Sequence, residues 1–345
     1  MNFSYLNNQV YPGHHVPLKP KVSVCLITYA HENYLDTCLQ SILNQEVDFA
    51  YEIIIGEDCS PDKTAEIVKR YAEQFPDKIK AFIRPKNAGA KINFLHCFFE
   101  CQGEYIVHIE GDDYWTDPKK LQTQVDFLDA NPNASACFHN AEIIFEDGSG
   151  FAPQLINKPD QKKWVQSADF LGEKETWFMA TASVMMRAKY VQTLPEWFLK
   201  SKSGDIPLYV ILAEQGPIGY IDRIMSVYRK NEGGMSYTDS EQSEVFLNNR
   251  IFMYSKINEY TRFKYNVLIQ NIIYEYLLLK VISRKNQKNY LRKLVFFFKA
   301  LAYQNPTNWK QCKALAKEYL ISPKTLLKYL NFRKKINDLL RFTFK

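Results

Sequence analysis

Four short, apolar, β-branched segments, each separated from the next by a stretch of helical character, constrain the fold of this chain more than any other feature. Continuous apolar runs of this length are typical of strands that are buried on both faces. Their alternation with helices predicts an α/β fold built on a mostly parallel sheet. The four segments are residues 22–28, 51–55, 80–84 and 105–109, and the helices between them are expected near residues 34–43, 61–75 and 90–101.

Acidic side chains directly follow two of these predicted strands. Glu57 and Asp58 come after the second, and Glu110, Asp112 and Asp113 come after the fourth. The carboxyl ends of parallel strands share one edge of a sheet, where ligands usually bind. Crowded carboxylates raise one another's pKa unless a cation lies between them, and they suit Mg²⁺ or Mn²⁺ together with substrate phosphates. The pattern predicts a metal and phosphate site, with a solvated acidic turn as the plainer alternative.

Several classes of protein are disfavoured by the rest of the sequence. No GxGxxG follows the first strand, which argues against a dinucleotide-binding fold. No apolar run approaches the roughly 18 residues that a membrane span needs. Residues 1–20 are polar and contain three prolines, unlike a secretory signal. The seven cysteines include no CxxC pair, so reduced thiols and a cytoplasmic location are expected.

The charge is distributed unevenly along the chain. The net charge is +6, yet residues 250–345 carry 21 Lys and Arg against 4 Asp and Glu. From about Ser240 the pattern is helical and mixes cations with large apolar side chains, as in helices that lie in a bilayer interface. We expect peripheral association with the anionic inner face of the cell membrane, although a solvated basic face explains the pattern equally well. Nucleic-acid binding is disfavoured because no recognised motif accompanies the charge.

Five segments in order carry a resemblance to a known family. They are residues 22–29, 53–62, 108–115, 203–208 and 227–234. Together they resemble glycosyltransferase family 2, whose members have the GT-A fold, over about residues 20–235. The resemblance implies a Rossmann-like mixed sheet flanked by helices at residues 21–240. An N-terminal extension at 1–20 would precede it, and a helical, basic, membrane-associated region at 241–345 would follow.

The resemblance also implies roles for residues at the sheet edge. Asp112 and Asp113 match the acids that hold a divalent metal, Mg²⁺ or Mn²⁺, and Asp112 also contacts the donor. Asp205 lies where the family places its catalytic base, although Gly204-Asp205 also fits an ordinary helix cap. The residues expected to bind the nucleotide are Thr28, Tyr29, His31, Glu32, Asp58, Asp112 and Arg229.

The family implies inverting transfer of a sugar from a nucleotide-sugar donor, with UDP-sugars favoured. The acceptor would be a glycan or a lipid-linked saccharide in cell-surface polysaccharide synthesis. The sequence departs from the commonest family pattern at four positions: Glu57 replaces an Asp, Cys59 a Gly, Glu110 the first acid of the metal motif, and Asn231 a His.

Two other interpretations stay open at this point. One is a sugar-nucleotide pyrophosphorylase, whose Gly-rich loop after the first strand is absent from residues 28–32. The other is a non-catalytic, membrane- or nucleic-acid-binding protein built on the same sheet.

Overall fold

The central strands are buried on both faces, which explains why the sequence shows no alternation there. β2 (Val22–Thr28) and β3 (Tyr51–Glu57) are buried at every position. They lie between β4 (Ile79–Ile83) and β5 (Tyr105–Glu110), and the four strands run parallel in the order β4-β3-β2-β5. The predicted parallel core of an α/β fold is confirmed.

The computed structural model describes residues 3–11, 19–146, 148–171, 178–231, 243–282 and 290–304, together with residues 316 and 320. The chain divides into two units, the first made of residues 1–170 with 176–238 and the second of residues 171–175 with 239–345. All of the candidate site residues lie in the first unit.

Helices cover both faces of the parallel strands. α1 (Leu35–Leu43), α2 (Thr64–Gln74) and α4 (Lys120–Ala130) share one apolar cluster with Ile53 and Ile55 of β3. On the opposite face, α3 (Ala90–Glu100) approaches Gly56 so closely that a Cβ there would lie 2.1 Å from the Asn93 side-chain oxygen. Position 56 therefore requires glycine, because α3 packs directly onto the strand backbone.

One helix start differs from the sequence-based prediction. The pattern favours Ser60 as the N-cap of a helix that Pro61 begins, but α2 begins at Thr64. The Ser60 hydroxyl instead accepts a hydrogen bond from the Ala30 N–H at 3.0 Å, and the Asp62 carboxylate accepts one from the Thr64 N–H at 3.0 Å. Ser60 is used to join two neighbouring loops, so the prediction was wrong.

The other half of the sheet is mixed in direction. β10 (Met185–Arg187) lies antiparallel between β5 and β7 (Ala136–Glu146), and β11 (Ile218–Asn231) runs parallel to β7. At the far ends, β6 (Tyr114–Trp115) pairs with β11 and β1 (Gln9–Tyr11) pairs with β4, both antiparallel. The expected Rossmann-like mixed sheet flanked by helices is confirmed.

Short elements complete the first unit. Two of them are strands at the sheet margin, β8 (Gln154–Leu155) on β7 and β9 (Trp164–Val165) on β11. The remaining helices are α5 (Ser167–Phe170), α6 (Glu196–Lys200) and α7 (Asp205–Ala213), with 3₁₀ turns at Ser4–Leu6, Thr181–Ser183 and Ala188–Tyr190.

The second unit is helical, as expected for the C-terminal region. It contains α8 (Glu244–Tyr260), which the Ser243 hydroxyl caps, followed by α9 (Asn266–Ile282) and α10 (Tyr290–Gln304). Within the described ranges, every helix is too short or too polar to cross a bilayer. The sequence pattern predicts breaks between helices near Asn286, Pro306 and Pro323, and these positions lie outside the described residues.

Candidate active site

Three parallel strands end side by side and define the candidate site. Thr28 at the end of β2 pairs with Glu57 of β3, and Ile27 pairs with Glu110 of β5. Gly111 directly follows β5, and a Cβ at this position would lie 2.6 Å from the Thr28 hydroxyl. The close approach of these two strand ends therefore requires glycine at position 111.

The buried Glu57 side chain stabilises the turn that follows β3. The Glu57 carboxylate accepts hydrogen bonds from the N–H groups of Cys59 at 3.2 Å and Ser60 at 2.7 Å. Cys59 has a φ of 60°, in the left-handed region where glycine is the usual residue. This explains why the related family pattern has Gly there. Glu57 is buried and acts on the backbone of the turn.

Asp58 anchors the loop that leads into α3. Its two carboxylate oxygens accept hydrogen bonds from the N–H groups of Ala88 and Gly89, each at 2.8 Å. The Arg84 Nε atom lies 3.4 Å from the same carboxylate, and both side chains are buried. Burial raises the pKa of Asp58, while the two N–H groups and Arg84 oppose that shift by stabilising its charge. Any nucleotide contact by Asp58 is therefore made from a rigid position.

The segment after β2 is hydrogen-bonded to the start of α2. The His31 N–H donates to the Thr64 hydroxyl at 2.8 Å, and the Lys63 N–H donates to the Glu32 carboxylate at 2.9 Å. Tyr29 differs from these neighbours because it is 45% exposed. Its side chain is therefore open to a ligand.

The acidic turn after β5 concentrates negative charge in a buried place. Burial, with the nearby charges of Asp112 and Asp205, raises the pKa of Glu110 to about 8. Burial, with the charges of Asp112 and Glu110, raises the pKa of Asp113 well above its usual range. One Asp113 oxygen accepts a hydrogen bond from the Arg229 N–H at 2.9 Å. The other is buried and has no hydrogen-bond partner in the part of the chain that the structure describes.

Asp112 is oriented from two directions. Its Oδ2 atom accepts a hydrogen bond from the Asn231 side-chain amide at 2.9 Å, and its backbone carbonyl accepts one from the Arg229 guanidinium. Its Oδ1 atom lies 3.8 Å from Nε2 of His31. Burial lowers the pKa of His31, against the opposing effect of the Asp112 charge. β11 thus supplies the side chains that fix the acidic turn in place.

Arg229 is itself held between two aromatic rings. Its guanidinium carbon lies 4.7 Å from the centre of the Tyr34 ring and 5.0 Å from that of Tyr114. Its Nε atom is 3.1 Å from the Glu146 carboxylate. A planar guanidinium stacks well on such rings. The arrangement holds a fixed positive charge beside Asp112 and Asp113.

Asp205, the first residue of α7, approaches the same acids from another part of the chain. Its charge contributes to the raised pKa of Glu110. It also lies near Lys91 of α3, whose pKa burial lowers to about 8 against the opposing effect of Asp205. The Lys91 Nζ atom is 3.6 Å from the centre of the Phe198 ring and has no hydrogen-bond partner among the described residues. Lys91 lies beside the start of α7, because a Cβ at Gly204 would be 3.5 Å from its Nζ atom.

The chemistry of the cluster fits a divalent cation that arrives with a phosphate ligand. Over the described ranges, no three His, Cys, Asp or Glu side chains form a group that could hold a metal ion by themselves. Mg²⁺ and related ions are commonly held by one or two carboxylates plus phosphate oxygens and water. The unpartnered Asp113 oxygen and the mutual repulsion of the acids are both features that a cation would relieve.

The structure brings together most of the residues that the sequence singled out. Thr28 and His31 lie against Gly111 and Asp112, and Arg229 and Asp205 reach the same acidic turn. The sequence gives no indication of a role for Lys91, and Asn231 is notable there only as a departure from the family pattern. Neither position carries a local signal, because each acts on a residue far away in the chain.

Comparisons with known proteins agree with this geometry. Residues 23–194 match the model of the family described as glycosyl transferase family 2. The uncharacterized protein Rv1520 of Mycobacterium tuberculosis (strain ATCC 25618 / H37Rv) is 33% identical over 230 residues, which are 63% of this chain and 62% of that protein. The chain thus spans less than two thirds of the length of this relative.

Two further proteins extend the comparison. TuaG of Bacillus subtilis (strain 168), a candidate teichuronic acid biosynthesis glycosyltransferase, is 29% identical over 150 residues, which are 42% of this chain and 58% of TuaG. The fold resembles that of residues 1–349 of S. aureus TarS, solved in complex with UDP, with a TM-score of 0.57 and 17% identity. That match covers 86% of this chain and 83% of the TarS chain. Through the domain that contains the acidic turn, the chain belongs to glycosyltransferase family 2 and has a GT-A-like fold.

Proposed function

We propose that this protein is a metal-dependent, inverting glycosyltransferase. It takes a sugar from a nucleotide-sugar donor, with a UDP-sugar favoured, and transfers it to a glycan or lipid-linked acceptor. The product would serve cell-surface polysaccharide synthesis. Family membership supports the reaction class, TuaG supports the polysaccharide context by its name, and the complex of TarS with UDP supports the choice of nucleotide.

One observation carries this proposal. The buried acid Glu110 lies close to acids from two distant parts of the chain, Asp112 in the same turn and Asp205 at the start of α7, and their charges add to burial in raising its pKa. Sugar transfer needs acids that hold a cation on the donor diphosphate, and it needs a base that takes the proton of the acceptor hydroxyl. These two groups must lie next to each other. An ordinary helix cap at position 205 would not need to lie beside the acidic turn.

In the proposed reaction, Asp205 accepts the proton of an acceptor hydroxyl while that oxygen attacks the anomeric carbon of the donor. The bond from that carbon to the diphosphate oxygen breaks on the opposite face, so the configuration inverts. Asp112 and Asp113 would hold Mg²⁺ or Mn²⁺, which supplies positive charge for the leaving diphosphate. Arg229, already fixed beside both acids, adds a second positive charge in the same place.

The nucleoside part of the donor would lie along the ends of β2 and β3. The residues that would bind the nucleoside are Thr28, Tyr29, His31, Glu32 and Asp58. The exposed ring of Tyr29 provides a surface for the base, and the rigid Asp58 carboxylate provides a fixed polar contact.

Donor hydrolysis tests the assignment of the base, because water can replace the unknown acceptor. A panel of UDP-sugars with Mn²⁺ would be compared between the wild type and Asp205→Asn. We expect hydrolysis to fall by roughly 10²–10⁴-fold, the usual contribution of a general base, with UDP affinity unchanged. Asp160→Asn, at an exposed position away from the acidic turn, is the matched control. Unchanged hydrolysis in Asp205→Asn would refute the assignment.

The C-terminal region supports a second part of the proposal, peripheral binding to an anionic membrane surface from the cytoplasmic side. α10 carries Leu291, Val295 and Phe298 at helical spacing on one side, and they are 76%, 51% and 63% exposed. Lys293 and Lys299 occur in the same helix. Each cation near an anionic surface contributes about 1 kcal/mol, so a few suffice to hold a protein there. Residues 305–315, 317–319 and 321–345, which contain further Lys and Arg side chains, lie outside the described residues.

A further inference from the structure

Two side chains of the site, those of His31 and Asp112, face each other without a hydrogen bond between them. Nε2 of His31 and Oδ1 of Asp112 are 3.8 Å apart, well beyond the roughly 3.2 Å limit of a good hydrogen bond. The two side chains are 19% and 11% exposed, so a ligand can reach both. The gap lies at the carboxyl edge of β2 and β5, beside Gly111.

The remaining polar side-chain atom of each residue is already engaged, and among the described residues neither facing atom has a hydrogen bond. Nδ1 of His31 lies 3.2 Å from the Thr28 hydroxyl, and Oδ2 of Asp112 accepts the Asn231 amide at 2.9 Å. A histidine that binds a metal almost always uses its second ring nitrogen for a hydrogen bond of this kind, which fixes the ring orientation. Gly111 leaves room for the ring in this orientation, because a Cβ there would lie 2.8 Å from Nδ1 of His31.

The size of the gap matches the spacing of two ligands of one ion. Nitrogen and oxygen ligands of such ions lie about 2.0–2.2 Å from the metal. Two of them are therefore about 3 Å apart at a right angle and about 4.2 Å apart when they are opposite. The observed 3.8 Å lies between these limits. A small adjustment of either side chain would bring both atoms to bonding distance.

We propose that Nε2 of His31 binds the same divalent cation as Oδ1 of Asp112, with Asp113, the donor diphosphate and water completing its coordination. This inference rests on the proposed function, because the diphosphate supplies the remaining ligands. It gives His31 a role on the metal in place of the nucleotide contact that the family resemblance implies. Because imidazole suits transition metals better than Mg²⁺, it also assigns Mn²⁺ as the preferred ion of the two.

Pulsed electron paramagnetic resonance of Mn²⁺ bound together with UDP tests the assignment without any need for turnover. A directly bound imidazole nitrogen gives a characteristic ¹⁴N modulation, which we expect in the wild type and not in His31→Gln. The double variant His14→Gln/His15→Gln, which removes two histidines outside the described residues, should keep the modulation. The affinity of the UDP-loaded protein for Mn²⁺ should also fall at least about tenfold in His31→Gln.

If His31→Gln fails to fold, the wild type labelled with ¹⁵N-histidine provides the same test. A bound histidine nitrogen requires that this label change the modulation. The inference would be overturned if the modulation persists in a folded His31→Gln. It would also be overturned if the wild type binds Mn²⁺ and UDP without any histidine modulation. Either result would leave the proposed sugar transfer standing. Failure of the wild type to bind UDP with either metal would overturn both proposals.

Discussion

Asn231 donates its side-chain amide to Oδ2 of Asp112 at 2.9 Å, although the two residues are 119 positions apart. The bond joins the last residue of β11 to the turn after β5, where Asn231 is 6% and Asp112 is 8% exposed. The other carboxylate oxygen of Asp112, Oδ1, lies 3.8 Å from Nε2 of His31. Asn231 therefore decides which way the Asp112 carboxylate points.

Asn231→Ala should weaken the binding of Mn²⁺ together with UDP. Loss of a residue that orients a metal ligand typically costs about 10–100-fold in metal affinity, and we expect an effect at the lower end of that range. Calorimetric titration of Mn²⁺ into UDP-loaded protein measures it. Asn133→Ala, at an exposed position, is the matched control and should bind like the wild type. Equal affinities in all three proteins would exclude an orienting role.

The Asp58–Arg84 pair should stabilise the fold as well as the nucleotide site. Both side chains are buried, and Asp58 also holds the N–H groups of Ala88 and Gly89. Removal of one partner of a buried pair costs about 3–5 kcal/mol, because the other charge stays buried without compensation. Asp58→Ala should lower the free energy of unfolding by about that amount, as measured by urea denaturation.

The double variant Asp58→Ala/Arg84→Met provides the control for this pair. It removes the uncompensated charge and should recover part of the stability that Asp58→Ala loses. A double variant as unstable as the sum of the two single variants would show that the two charges do not interact.

Lys120 should make the stability of the protein depend on pH. It is buried, its Nζ atom lies 4.0 Å from the centre of the Trp115 ring, and burial lowers its pKa to about 7. In the unfolded chain a lysine keeps its proton up to about pH 10.4. Between about pH 7 and 10 the unfolded state therefore binds more protons, so the stability contributed by this group rises with pH. Below about pH 7 the full cost of a buried charge remains.

Lys120→Met should remove this part of the pH dependence, because it leaves an apolar side chain in the same place. Urea denaturation at a series of pH values would compare it with Lys119→Met, which changes the exposed neighbour. We expect the wild type and Lys119→Met to gain stability relative to Lys120→Met as the pH rises. Parallel curves for all three proteins would contradict the lowered pKa.

The exposed stripe on α10 should govern membrane binding. Replacement of Leu291, Val295 and Phe298 by serine removes apolar surface that is exposed in the free protein, so the fold should be little affected. Because burial of one such side chain is worth about 1.5–3 kcal/mol, partition onto anionic vesicles should fall at least about tenfold. Vesicle sedimentation measures the effect, with Val267→Ser, at another exposed apolar position, as control. Equal sedimentation of the triple variant would leave the membrane proposal without support.

The sequence predicts the parallel core and the candidate site edge because both depend on local patterns. Apolar runs such as Val22–Thr28 identify buried strands, and parallel strands place the acids that follow them on one edge. The position of β10 between β5 and β7 has no such signal. It depends on which strands pair across the chain, and a local pattern does not encode that choice.

The details of the site depend on tertiary contacts for the same reason. Glu57 occurs in the acidic pattern, yet its carboxylate is bonded to the turn after β3. Ser60 has the chemistry of a helix cap but joins the loop at Ala30. Lys91 and Asn231 reach Asp205 and Asp112 only after the sheet has formed. The sequence shows which polar or charged groups these side chains carry. It does not show which residues they bind to in the folded protein.

Thermal denaturation with a panel of nucleotide sugars, each with and without Mn²⁺, tests the central claim most directly when the wild type is compared with Asp112→Asn. We predict that at least one UDP-sugar raises the melting temperature of the wild type only when Mn²⁺ is present, and that Asp112→Asn shows no such rise. A ligand that stabilises both proteins equally, with or without the metal, would contradict a cation-held diphosphate at the edge of the sheet.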